Sequence, residues 1–195
     1  MRFVGLTGGI GSGKSTVTAL LRERGAVILD ADEFARVAVE PGTDALRRIV
    51  DRFGREVLAS DGSLDRAKLA AIVFADPAAL GDLEAIVHPE VRRLIGEGIR
   101  DNVDTDHVVV LVNPLLIEMG THRDCDVVVV LSVSPETQIA RAVARGMDEA
   151  DVRSRLAAQL PLPERAAQAD VLIDNEGTIE QLEAQVDALW ERLVA

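Results

Sequence analysis

Gly8-Gly9-Ile10-Gly11-Ser12-Gly13-Lys14-Ser15 fits the phosphate-binding pattern G-x-x-x-x-G-K-[ST], with Gly8 and Gly13 as its fixed glycines. The flanks matter as much as the letters. Arg2-Phe3-Val4-Gly5-Leu6-Thr7 reads as a short buried strand, and Ser15 to Arg24 reads as a helix ending at Gly25. A strand, a glycine loop and a helix start make an anion site, because backbone N–H groups and the positive end of the helix dipole converge on it. In such a loop Lys14 would reach the β- and γ-phosphates and the Ser15 hydroxyl would ligate Mg²⁺. A glycine-rich turn with no ligand is the bland alternative, and the strand and helix on either side argue against it. The stretch therefore points to a nucleoside-triphosphate site.

Working outward, the 195 residues suit one domain with room for a large insertion. Hydrophobic residues make up 48% but aromatics only 3%, so the core must be built from Val, Leu, Ile and Ala. Net charge is -12, with 33 acidic residues against 21 basic ones, which argues against a general nucleic-acid or anionic-membrane surface. Anionic ligands must then be held by local sites. The chain has two lysines, Lys14 and Lys68, so one of them lies in the loop itself. A single cysteine, Cys125, rules out an internal disulfide and suits a reducing compartment. With no signal-like start and no apolar run of about 20 residues, a cytoplasmic location without membrane partners is expected.

Val27-Ile28-Leu29 is a second strand, ending at Asp30-Ala31-Asp32. Functional residues in open α/β sheets gather beyond the carboxyl ends of strands, so these carboxylates belong to the edge that carries the loop. Asp32 has two readings: a cap for the helix Glu33–Ala38, or a general base that takes a proton from an acceptor hydroxyl. The residues alone leave the two even. Residues 41–105 read as a helical insertion without a parallel strand. Helices are expected over 45–53, from Asp65 to Phe74, from Asp76-Pro77 to about Val87, and from His88-Pro89 to about Asn102. A lone histidine between helices caps or packs more often than it reacts, so the pattern by itself says little for His88.

Val108–Val112 is a continuous apolar run, as expected of a strand buried on both faces. It ends in Val112-Asn113, without the carboxylate that many phosphate-loop enzymes use there to organise Mg²⁺. Acidic help would have to come from Asp30, Asp32 or Glu118, and Mg²⁺ tolerates indirect contacts through its waters. Val127–Leu131 is a fourth strand and Val171–Ile173 a fifth. Between them, a helix from Ser134-Pro135 to about Arg145 and a second one after Asp148 carry Arg141, Arg145, Arg153 and Arg155. Such arginines suit a lid that closes over phosphates, with a solvated charged hairpin as the alternative.

Alternating strands and helices predict an α/β, three-layer fold of the P-loop NTPase type, with a five-stranded parallel sheet, a helical acceptor-binding insertion and an Arg-rich lid. The expected single domain has its core at about 1–40, 106–140 and 165–195, its insertion at about 41–105 and its lid at about 141–164. No N-K-x-D guanine motif is present, so a small kinase fits better than a GTPase.

The sequence also resembles the dephospho-CoA kinases. Leu6–Ser15, Asp30-Ala31-Asp32, Pro41-Gly42, Phe53-Gly54, His88-Pro89, Pro114–Glu118 and Asp170–Gly177 occur in that family's order and span essentially the whole chain. The resemblance implies transfer of a phosphoryl group from ATP, with Mg²⁺, to the ribose 3′-hydroxyl of dephospho-CoA, the last step of coenzyme A synthesis. It also implies that Asp32 is the base and that Lys14 and Arg141 stabilise the γ-phosphoryl. ATP binding would fall to Gly8, Gly9, Ile10, Gly11, Ser12, Gly13, Lys14, Ser15, Thr16, Arg141 and Asn175, with Ser15 on the metal. The acceptor would be met by Thr7, Asp32, Arg36, His88, Pro114, Leu115 and Glu118. Partners would be the two small molecules, and the assembly a monomer or small homo-oligomer. A kinase for another nucleoside or nucleotide, or a non-catalytic nucleotide switch, would share the loop but not the later blocks.

Overall fold

The computed structural model describes all 195 residues, Met1–Ala195. Five strands, β1 (Arg2–Gly8), β2 (Val27–Asp30), β3 (Val108–Val112), β4 (Val127–Ser132) and β5 (Val171–Asp174), form one parallel sheet in the order β2-β3-β1-β4-β5. β1 lies between β3 and β4, with Leu6 opposite Val112 on one side and Val129 on the other. Every residue of β3 is buried, which is why that strand reads as an unbroken apolar run instead of an alternation.

Helices α1 (Lys14–Glu23), α6 (Pro135–Ala144), α7 (Glu149–Ala158), α8 (Leu162–Ala166) and α9 (Ile179–Val194) belong to the same compact unit as the sheet, which comprises Met1–Leu29 and Asn102–Ala195. Val17 and Leu21 of α1, with Val186, Leu189 and Leu193 of α9, pack on Val4, Leu6, Val110, Val129 and Leu131 of the sheet. Each fully buried Val or Leu contributes about 1.5–3 kcal/mol. Exposed ion pairs such as Arg47–Asp44 and Arg93–Glu90 are screened by water and add little, so burial dominates. Two carboxylates set the strand starts: Asp126 accepts from the Phe3 N–H (2.7 Å) and Asp170 from the Val128 N–H (2.8 Å). Ser134 caps α6 with Pro135 at its first position, and Thr178 with Gln181 forms a capping box on α9.

The second unit, Asp30–Asp101, is helical and contains α2 (Ala31–Val37), α3 (Asp44–Phe53), α4 (Arg66–Ala75) and α5 (Pro77–Arg100). Ile49, Phe53, Val57, Leu69, Val73 and Ile86 form its core. Thr43, Asp65 and Asp76 cap α3, α4 and α5 through side-chain oxygens. The unit begins at Asp30, ahead of the insertion boundary expected near residue 41, because α2 packs on α5.

A second difference lies inside α5. His88-Pro89 was expected to interrupt the helix, yet the helix runs unbroken from Pro77 to Arg100 with Pro89 in its interior. An interior proline costs about 3 kcal/mol through its missing N–H and its clash with the preceding turn. Ile86, Val87 and Val91, packed into the helical core on either side of it, offset that cost. The unit holds because tertiary burial outweighs local propensity.

Candidate active site

The loop between β1 and α1 is built by two glycines in the left-handed region, Gly11 (φ 69°) and Gly13 (φ 94°). Gly13 caps α1 without any side-chain acceptor, and no acidic residue lies in the helix's first turn. The positive end of α1 is thus left uncompensated by protein, as an anion site requires. The Lys14 ammonium donates to the carbonyls of Gly8 (2.7 Å) and Gly9 (3.0 Å), which folds it back over the loop.

Asn175, just beyond β5 and 7% exposed, donates from Nδ2 to the Ser12 carbonyl at 2.8 Å. A Cβ on Gly13 would lie 2.1 Å from that same nitrogen, so the glycine is required by close approach as well as by φ. The Asn175 carbonyl in turn accepts from Arg141 Nη2 at 2.9 Å, which ties α6 to the β5 turn. Glu176 accepts from the Ser134 N–H and, at 2.8 Å, from the Thr137 hydroxyl. These bonds hold its carboxyl below the usual range. Thr7 near the end of β1 and Ser12 in the loop are buried, and neither hydroxyl has a partner.

Asp30, not Asp32, caps α2: its carboxylate accepts from the N–H groups of Asp32 (2.8 Å) and Glu33 (3.2 Å). Asp32 is exposed in the first turn of that helix, and Arg36 is exposed one turn later on the same face. His88 is exposed on α5, the helix on which α2 packs. All three belong to the helical unit. In the sheet unit, Asn113 accepts from the Leu115 N–H at 2.8 Å and turns the chain through Pro114. Glu118 accepts from the Leu160 N–H at 3.1 Å.

No three His, Cys, Asp or Glu side chains cluster to form a metal cage. The donors present fit a different arrangement, in which a cation arrives with the triphosphate and keeps most of its waters. Ser15 is exposed at the first turn of α1, with its hydroxyl available as one ligand. Burial and the neighbouring Asp124 and Asp126 push the Cys125 thiol up to about 12, which disfavours its thiolate.

Two residues beside the loop escape a sequence reading. Gln138 on α6 and Arg165 on α8 are each 3% exposed. A Cβ on Gly9 would meet Gln138 Oε1 at 2.0 Å and Arg165 Nη2 at 3.4 Å, and one on Gly11 would meet the Gln138 carbonyl at 2.5 Å. Neither sits in a motif, and only the packing of α6 and α8 near β4 brings them there. A helical glutamine and an arginine in a five-residue helix carry no signal in the sequence.

The family profile for dephospho-CoA kinase matches residues 2–181 of the chain. This chain belongs to the dephospho-CoA kinase family. It is 51% identical to a dephospho-CoA kinase of Streptomyces avermitilis over 98% of this chain and 93% of that protein. To a dephospho-CoA kinase of Geobacter sulfurreducens it is 47% identical over 98% of each. Among solved structures it is similar to TT1252 from Thermus thermophilus, with 38% identity, a TM-score of 0.82, and coverage of 100% of this chain and 98% of that one. A shikimate kinase from Bacteroides thetaiotaomicron, 17% identical with a TM-score of 0.53 and coverage of 100% and 99%, shares the fold alone. This kinase carries out the ATP-dependent phosphorylation of dephospho-CoA in coenzyme A biosynthesis.

Proposed function

We propose that the kinase transfers the γ-phosphoryl of ATP in line to the ribose 3′-hydroxyl of dephospho-CoA, with Asp32 as the base. The acceptor proton passes to the Asp32 carboxylate as the new O–P bond forms. The bond from the γ-phosphorus to the bridging oxygen breaks, and ADP leaves. The observation that carries this reading is the division of labour at α2. Asp30 does the capping, so the fold does not need Asp32 for that task.

Gly8 to Thr16 cradle the triphosphate, and the positive end of α1 faces it. Lys14 and Arg141 stabilise charge on the transferring phosphoryl, and Asn175 holds the loop from the β5 side. A magnesium ion would be held on the protein by Ser15 and would supply neutralising charge for the transfer. Arg36 and His88 of the helical unit, with Thr7, Pro114, Leu115 and Glu118, belong to the acceptor side. Thr7 would act from beneath, since its side chain is buried. The arginines of residues 141–164 close as a lid that keeps water from the phosphoryl.

The enzyme works in the cytoplasm as a monomer or small homo-oligomer, without nucleic-acid or membrane partners. A single cysteine and an acidic balance support this, and no helix is long and apolar enough to cross a membrane. The test is ADP release from Mg-ATP with dephospho-CoA, adenosine or AMP as acceptor. Stimulation by dephospho-CoA alone, lost in Asp32→Asn while ATP binding persists, is the expected result. Equal loss of binding and turnover would make Asp32 structural.

A further inference from the structure

Arg165 is a cation buried where the family's reaction has given it no task. Its side chain comes from α8, which packs against β4 and is entered through Pro161. Neither Nε nor Nη1 has a hydrogen-bond partner, and no ion pair reaches the guanidinium. Glu118, the carboxylate that acts on it, has Oε1 engaged by the Leu160 N–H. A lysine or histidine so placed could shed its proton, but a guanidinium keeps its charge. A buried, unpaired charge is costly unless a partner arrives.

The neighbourhood says which partner. Nη2 approaches Gly9, the second residue of the phosphate loop, on the side where a Cβ would stand. Gln138 Oε1, itself buried and without a partner, lies on that same side, while its Nε2 is fixed by the Val133 carbonyl at 2.8 Å. Gly9 has no positive φ, so its missing side chain is explained by this approach and not by backbone conformation.

We propose that Arg165 is a further phosphate-binding residue of the donor site, a buried guanidinium beside Gly9 whose missing counter-charge is the triphosphate held by the loop. It rests on the loop's being the ATP site. Gln138, buried on the same side of Gly9, leaves its Oε1 without a partner beside the guanidinium.

The test is calorimetric titration of wild type, Arg165→Lys and Arg165→Gln with MgATP and with tripolyphosphate, together with melting of each protein without ligand. Arg165→Gln is expected to weaken both ligands about tenfold or more, by loss of a charge-assisted contact. Arg165→Lys, which keeps the charge but loses the fork, should fall between. The ligand-free Gln variant should melt no lower than wild type, because a buried unpaired charge has been removed. Affinities within twofold of wild type would overturn the proposal. So would a Gln variant that melts well below wild type or fails to fold, and so would a loss seen with MgATP but not with tripolyphosphate. In the unaltered protein, the Arg165 Nε–H signal should shift and exchange more slowly on adding MgATP, and an unmoved signal would count against it. If wild type bound no MgATP, the donor-site reading would fail first.

Discussion

In the sheet unit, almost wholly buried side chains crowd the loop from Gly8 to Ser15: Gln138, Arg165 and Asn175. In the helical unit the candidate residues Asp32, Arg36 and His88 stand exposed, outside the core built from Ile49, Phe53, Leu69 and Ile86. One unit presents backbone N–H groups and fixed charge, so its function cannot be separated from its packing. The other presents side chains exposed on helices. Substitutions should therefore behave differently in the two places.

The largest effect is expected from Lys14→Ala. Loss of its charge at the phosphates should cut turnover about a thousandfold or more and weaken ATP binding as well. Turnover near normal in a steady-state assay would break the donor half of the comparison. Asp32→Asn should cost about a hundredfold to a thousandfold in kcat, the usual range for a general base. Its ATP affinity and melting temperature should stay near wild type, because Asp30 remains to cap α2. A large fall in melting temperature would mean that the exposed side of the helical unit carries structure after all.

Gly13→Ala sharpens the contrast from the other direction. The new Cβ would be forced against Asn175 Nδ2 at 2.1 Å in a backbone with φ 94°. We expect about 1–3 kcal/mol of destabilisation in denaturant unfolding, with loss of ATP binding alongside it. The smallest effect concerns Glu176. Its carboxyl lies below its ordinary value of 4.5, because the Ser134 N–H and Thr137 hydroxyl stabilise the charged form. A depressed folded-state value means stability that is present above about pH 4.5 and lost as pH falls through the lowered value. Glu176→Gln should therefore flatten the acid limb of a melting-temperature profile. A limb as steep as wild type would assign that loss to other carboxylates.

Much of the fold was legible in the chain. Continuous apolar runs marked β3 and β4, and Ser134-Pro135 and Asp76-Pro77 marked helix starts. The phosphate loop was legible because its chemistry demands glycines and a lysine at fixed spacing. One local rule misled and another stayed undecided. Pro89 reads as a break, but it sits within a helix whose neighbours are buried on both sides. The residues alone left Asp32 even between cap and base, and only the hydrogen bonds to the N–H groups of Asp32 and Glu33 assign the capping role to Asp30.

Gln138 and Arg165 belong to a different category, since nothing local distinguishes them from surface residues. The sequence by itself determined the order of strands and helices, the loop and the family, because each depends on residues a few positions apart and on backbone preferences. The tertiary structure alone decided which polar groups lie buried without partners beside Gly9, and which unit α2 joins. Burial is a property of the whole chain. A residue's desolvation depends on segments far away in sequence, and no spacing within one stretch encodes it.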